Sequence, residues 1–166
     1  MSQTRQFRAP AVISSGPGAA KEAGAYARQH GGKALIVTDS NLEKIGLLAD
    51  VKASLEAADV SYSVYDKVVM EPVVEYIDDG LRAFREAGAE VVVAVGGGSP
   101  IDTGKAIAAM ARNPGAISDF MGAGKLAKPS APLIAIPTTA GTGSEVTPFT
   151  IITNTETDVK MLISSP

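Results

Sequence analysis

Three short stretches carry the residues best suited to chemistry. The first is Gly96-Gly97-Gly98-Ser99-Pro100-Ile101-Asp102. Three successive glycines clear a patch of backbone of every Cβ and let the chain turn sharply. They follow the apolar run Val91 to Val95 and precede a helical stretch that runs through Lys105 and Ile107 to about Ala111. Ser99 fits an N-cap, Pro100 the first helical position and Asp102 the N3 position of a capping box. A helix start beside bare glycine backbone presents N–H groups and the positive end of the helix dipole. That is anion-binding chemistry, and phosphate is the usual occupant. An ordinary strand–helix turn needs one glycine, so three in a row favour the phosphate reading.

Two familiar phosphate motifs are excluded. The pattern G-x-G-x-x-G would need glycine at 101, which is Ile101. The P-loop pattern fails because position 99 is serine and Ala106 follows Lys105, which removes the hydroxyl that would bind magnesium. Lys105 itself, a turn and a half into the helix, reads as a solvated lysine.

The second stretch is Asp39, at the end of the strand-like run Lys33 to Thr38. A carboxylate accepts two hydrogen bonds from a ribose diol and repels a 2′-phosphate, which selects NAD over NADP. Asp39-Ser40-Asn41 is equally the chemistry of a helix cap. The third stretch is Pro137-Thr138-Thr139-Ala140-Gly141-Thr142-Gly143-Ser144-Glu145. Its hydroxyls and glycines suit the close approach of a polar ligand, and they also suit a self-bonded loop. All three stretches follow strand-like runs. In an open α/β sheet, loops at the carboxyl ends of strands line the ligand crevice.

The pattern along the chain supports such a sheet. Strands are predicted at 10–15, 33–38, 60–65, 91–95 and 132–136. Helices are predicted at 19–29, 47–57, 73–87 and from Ser99 onward. Residues 118–128 read as short and irregular. Residues 149–153 and 159–164 read as a hairpin joined by Asn154 to Thr157. Strands alternating with helices over short loops predict an open, mostly parallel, Rossmann-like sheet with helices on both faces, plus the hairpin. Residues 1–166 read as one dinucleotide-binding domain.

Composition narrows the class further. The 166 residues are 45% hydrophobic and 20% charged, enough for one domain with a packed core. The net charge of −3 gives no electrostatic reason to expect nucleic acid or an anionic membrane as partner. No cysteine is present, which removes thiolate chemistry and suits a reducing, cytoplasmic setting. The one histidine, His30, precedes Gly31-Gly32 at a predicted helix end and cannot by itself form a metal site.

GGGSPID at 96–102 and PTTAGTGSE at 137–145 together resemble the iron-containing, group III alcohol dehydrogenases. The wider class includes glycerol dehydrogenase and dehydroquinate synthase. VTDSNLEKIG at 37–46 and the hairpin at 150–164 extend the resemblance over almost the whole chain. It implies hydride transfer between a small alcohol or aldehyde and NAD. It also implies a divalent metal, usually iron, that lowers the pKa of the alcohol. Position by position, it implies that Asp39 binds the adenosine ribose and that Gly97, Gly98, Ser99 and Asp102 surround the pyrophosphate. Thr138, Thr139, Thr142 and Ser144 would line the adenine and nicotinamide side, and Thr147 would touch the cofactor. Lys160 would lie near the nicotinamide ribose and Phe149 on the substrate side. Glu71 stands where many members carry asparagine.

The family's metal ligands, an aspartate and three histidines, belong to an all-helical second domain. The expectation is therefore the NAD-binding half of such an enzyme, with no catalytic residue and no metal ligand of its own, inactive in isolation and forming homo-oligomers. A stand-alone nucleotide-binding module and the matching domain of a glycerol dehydrogenase-like enzyme remain open alternatives.

Overall fold

The computed structural model describes residues 9–164. Its strands are β1 (Lys33–Val37), β2 (Ser61–Tyr65), β3 (Val91–Gly96), β4 (Gly122–Ala123), β5 (Leu133–Pro137), β6 (Phe149–Asn154) and β7 (Val159–Ser164). Its α-helices are α1 (Ala23–Arg28), α2 (Ser40–Lys44), α3 (Ala49–Ala57), α4 (Val74–Glu86) and α5 (Gly98–Arg112). Four strands form a parallel sheet in the order β2-β1-β3-β5. The predicted α/β class and parallel sheet are both present.

Alternation along the strands supplies two cores. Leu35, Val37 and Val92 point to one face, where Ile77, Leu81 and Phe84 of α4 and Ala106, Ile107 and Met110 of α5 cover them. Ala34, Ile36, Val91, Val93 and Val95 point to the other, where Ala23 and Ala27 of α1 and Val51 and Leu55 of α3 cover them. Every residue of β3 is buried, which explains why its sequence is a continuous apolar run. Burying a side chain such as Ile77 or Leu81 contributes roughly 1.5–3 kcal/mol, more than any single residue's helix propensity, so packing decides where α4 lies. Helix α5 lies close on β3 because position 104 is glycine: a Cβ there would sit 2.8 Å from the Cβ of Ala94.

The hairpin forms as predicted, β6 and β7 pairing in register from Phe149 with Ser164 to Asn154 with Val159. Its turn is held by the Asn154 side chain, which accepts from the amides of Glu156 and Thr157. Ile152, Met161 and Ile163 pack into the α4–α5 core. The region 118–128 contains a strand the sequence did not announce: two residues of β4 pair in parallel with β7, giving a second sheet β4-β7-β6.

Two expectations are corrected. Pro10 to Ser15 forms no strand: the segment is exposed and pairs with no other strand among the described residues, so its β-prone residues have no ladder to join. The helix expected over 19–29 is broken into a 3₁₀ turn, Ala19–Glu22, followed by α1. Gly104→Val is expected to lower unfolding stability by about 1–3 kcal/mol through overpacking between α5 and β3. Urea denaturation monitored by circular dichroism checks it.

Candidate functional site

The main sheet reverses its strand order at β1. The chain leaves β1 outward to β2 and returns to β3 on the other side. Such a switch point opens a crevice beyond the carboxyl ends of β1 and β3. A cleft of about 320 Å³ lies there, lined by Asp39, Asn41, Leu42, Val68 to Met70, Gly97 to Pro100, Thr138 and Thr139. Six residues singled out from sequence therefore meet in one cleft: Asp39, Gly97, Gly98, Ser99, Thr138 and Thr139. A second depression, of about 220 Å³, lies between β2 and α4. Three of its charges pair with each other, Asp79 with both Arg82 and Lys67.

The floor of the cleft is the glycine turn. Gly96 ends β3 at φ +152°, a conformation L side chains rarely adopt, and a Cβ there would lie 2.5 Å from Pro100 Cγ. Helix α5 starts two residues earlier than predicted. Its N-cap is Gly97, not Ser99, and no side chain caps it. The predicted capping box does not form, because the Asp102 carboxylate is drawn sideways to the hairpin: Oδ2 accepts from the Ile151 amide at 3.1 Å. The amides of Gly98 and Ser99 lack an intrahelical partner by their position in the first turn. The threonine loop overhangs this turn. A Cβ on Gly97 would lie 3.1 Å from Thr139 Oγ1, and one on Gly98 would lie 3.4 Å from Ser144 Oγ and 3.7 Å from Thr142 Cβ. A side chain at Gly97 would crowd Thr139, and one at Gly98 would touch the threonine loop, so the glycines keep this turn narrow.

Asp39 caps α2 and lines the cleft at once. Both capping bonds, from the amides of Asn41 and Leu42 at 2.9 and 3.0 Å, end on Oδ1, so Oδ2 is not engaged in the cap. The loop at 138–145 is partly self-bonded. Thr142 Oγ1 donates to Glu145 Oε2 at 3.0 Å and accepts from the Ser144 amide at 3.3 Å. The Thr138 amide donates to Gly96 O at 2.9 Å and ties the loop root to the glycine turn.

The remaining residues stand outside the cleft lining. Asp102, Thr147 and Phe149 meet at the junction of α5 with the hairpin. Lys160, on β7, forms a 2.7 Å ion pair with Glu71 that holds its ammonium above the usual lysine range. Sequence reasoning misplaced Lys105. It is not solvated: its side chain is 14% exposed, and Nζ donates to Thr147 O at 2.9 Å and Phe149 O at 2.7 Å. Burial pushes its pKa below the usual lysine value, outweighing the nearby Asp102 carboxylate at 3.7 Å. The available signal was its place as the lone charge between Thr103 and Ala111, in register with Asp102 one turn earlier.

A family model, iron-containing alcohol dehydrogenase, matches residues 10–166. The chain belongs to that family. Alcohol dehydrogenase 4 of Saccharomyces cerevisiae is 43% identical over 164 residues, covering 98% of this chain and 43% of that protein. The NAD-dependent methanol dehydrogenase of Bacillus methanolicus is 40% identical over 159 residues, covering 95% of this chain and 42% of that protein. A crystal structure of 1,3-propanediol oxidoreductase superposes with a TM-score of 0.95 at 38% identity, over 98% of this chain and 43% of that one. This iron-containing alcohol dehydrogenase chain thus spans less than half the length of the relatives it matches. Among the described residues no group of three histidine, cysteine, aspartate or glutamate side chains is placed to hold a metal. The residues present do not fit the family's metal, whereas the cleft fits a phosphate-bearing cofactor. No helix among the described residues is long and apolar enough to cross a membrane.

The buried Lys105 has a pH consequence. Its folded pKa lies below the unfolded value of about 10.5, so in the window under that value the unfolded chain binds more protons. The cost of burying the charge is full below the folded pKa and is relieved as pH rises toward 10.5. Compared with Lys105→Met, the native chain is expected to gain stability across that rise. Urea midpoints taken stepwise in alkaline buffers measure the difference, and parallel curves would refute it.

Proposed function

We propose that this chain binds NAD and supplies the cofactor half of an enzyme that moves hydride between a small alcohol or aldehyde and NAD. The observation that carries the reading is the single cleft that joins Asp39, the uncapped start of α5 and the threonine loop. Asp39 accepts from the adenosine ribose through the oxygen its cap leaves unengaged. The amides of Gly98 and Ser99 hold the pyrophosphate, and Thr138, Thr139, Thr142 and Ser144 close over it. Asp102 supports this arrangement through the hairpin. Thr147, Phe149 and Lys160 serve the nicotinamide and substrate side. When bound, NAD supplies the hydride acceptor; the chain's own residues bind, orient and exclude water. The name of the methanol dehydrogenase relative agrees with the choice of cofactor.

Metal chemistry needs ligands beyond those in this sequence, whose histidine count is one. The 166-residue chain alone is therefore expected to bind NAD without oxidising alcohols. The absence of cysteine and the net charge of −3 suit a cytoplasmic protein that does not engage nucleic acid or membrane. Self-association is part of the same reading, since the hairpin exposes Phe149, Ile151 and Leu162 and the segment before α1 exposes Val12 and Ile13. Light scattering should show mass rising with concentration, and a monomer throughout would remove this part.

Isothermal calorimetry tests the cofactor reading. NAD is expected to bind at least roughly tenfold more tightly than NADP, about 1.4 kcal/mol. Asp39→Asn keeps an equally good N-cap and so the stability, while it removes the charge and with it the discrimination. Equal affinity of the native chain for the two cofactors would rule out the role of Asp39.

A further inference from the structure

We propose that Lys105, backed by Asp102, is a positioning residue for the part of the cofactor that extends past the glycine turn. This rests on the dinucleotide reading above. Lys105 sits seven residues beyond Gly98 on the same helix, so the phosphate floor and the lysine are rigidly linked, about 10 Å apart along the axis. Its Nζ gathers Thr147 O at 2.9 Å, Phe149 O at 2.7 Å and Thr147 Oγ1 at 3.4 Å. One turn earlier, Asp102 O accepts from Thr150 Oγ1 at 2.8 Å, and Asp102 Oδ2 accepts from the Ile151 amide at 3.1 Å.

Every residue from Thr147 to Ile151 except Pro148 is thereby tied to α5. The side chains of Thr147, Pro148 and Phe149 are exposed, so side-chain packing does not fix this link. Across the sheet the ligand-facing loops follow the order β1, β3, β5: Asp39, the glycine turn, the threonine loop. With one ribose on Asp39 and the phosphates on the turn, the second nucleoside is directed past β5. The segment that follows the threonine loop there is the one Lys105 holds. Lys105 sets where the Thr147 hydroxyl and the Phe149 ring stand relative to the nicotinamide half.

The test compares NADH with ADP, which reaches only Asp39 and the turn. Native chain, Lys105→Met and Thr150→Val are titrated with each, with circular dichroism as the check on folding. Both variants are expected to bind NADH roughly tenfold more weakly, the scale of one or two lost hydrogen bonds, with ADP affinity within about twofold of native. The nicotinamide emission of bound NADH should also shift toward that of the free cofactor. If Lys105→Met does not fold, the milder Thr150→Val decides. Equal loss for both ligands, or no loss, overturns the positioning role and leaves the dinucleotide reading standing. A native chain that binds neither ligand overturns both.

Discussion

The structure depends on one helix end being left open. Helix α5 begins at Gly97 and Gly98 with no side-chain cap, although the next residue is a serine. Unpartnered first-turn amides cost free energy if dry, so they persist only where water or an anion can reach them. The strand order provides that access. Because β1 and β5 flank β3, the loops after them line a cleft that the open end also faces. Gly96 sets the angle, since its backbone turns into α5 where any Cβ would strike Pro100.

The other half of α5 does the opposite work. Besides the apolar packing of Ile152, Met161 and Ile163, the hairpin is joined to α5 by polar bonds at Asp102 and Lys105. Burying an ammonium is costly unless several acceptors replace water. Lys105 finds the carbonyl and hydroxyl of Thr147 just before β6 and the carbonyl of Phe149 at its first residue, with a carboxylate nearby. Those carbonyls lie where the chain passes from one sheet into the next, at the residue that opens β6 and two residues before it. The lysine and the loop complete each other. An apolar residue at 105 would fill the space but leave the loop carbonyls without that donor.

Much of this was legible in the sequence because it follows from local rules. The valine run of β3, the glycine turn, the amphipathic pattern of α4 and the Asn154 turn each declare themselves within a few residues. Asp39 was readable as cap or ligand, and the geometry shows why the two roles are compatible: the cap uses one oxygen only. The failures all involve partners distant in sequence. Ser99 and Asp102 look like a capping box until the hairpin, some fifty residues on, claims the carboxylate. Lys105 looks solvated until residues 147–149 cover it. Pro10 to Ser15 has strand composition, but a strand requires a neighbour. Gly122 and Ala123 become a strand only because β7 supplies one.

Glu71 shows how the charge of a loop residue can be held apart from the position of its backbone. Its pair with Lys160 is the visible consequence, yet both side chains are more than half exposed, at 52% and 65%. Exposed pairs contribute little and weaken with salt, so this one does not fix the loop. The chain just after Glu71 is fixed by other bonds. The Thr153 amide donates to Pro72 O at 2.8 Å, and the Thr155 hydroxyl donates to Glu75, holding that carboxyl below its usual range. With the backbone held independently, the residue at 71 is free to change the charge at the rim without moving the wall. An uncharged side chain there would leave Lys160 as an unpaired cation beside the cleft. The glutamate leaves the pair locally neutral.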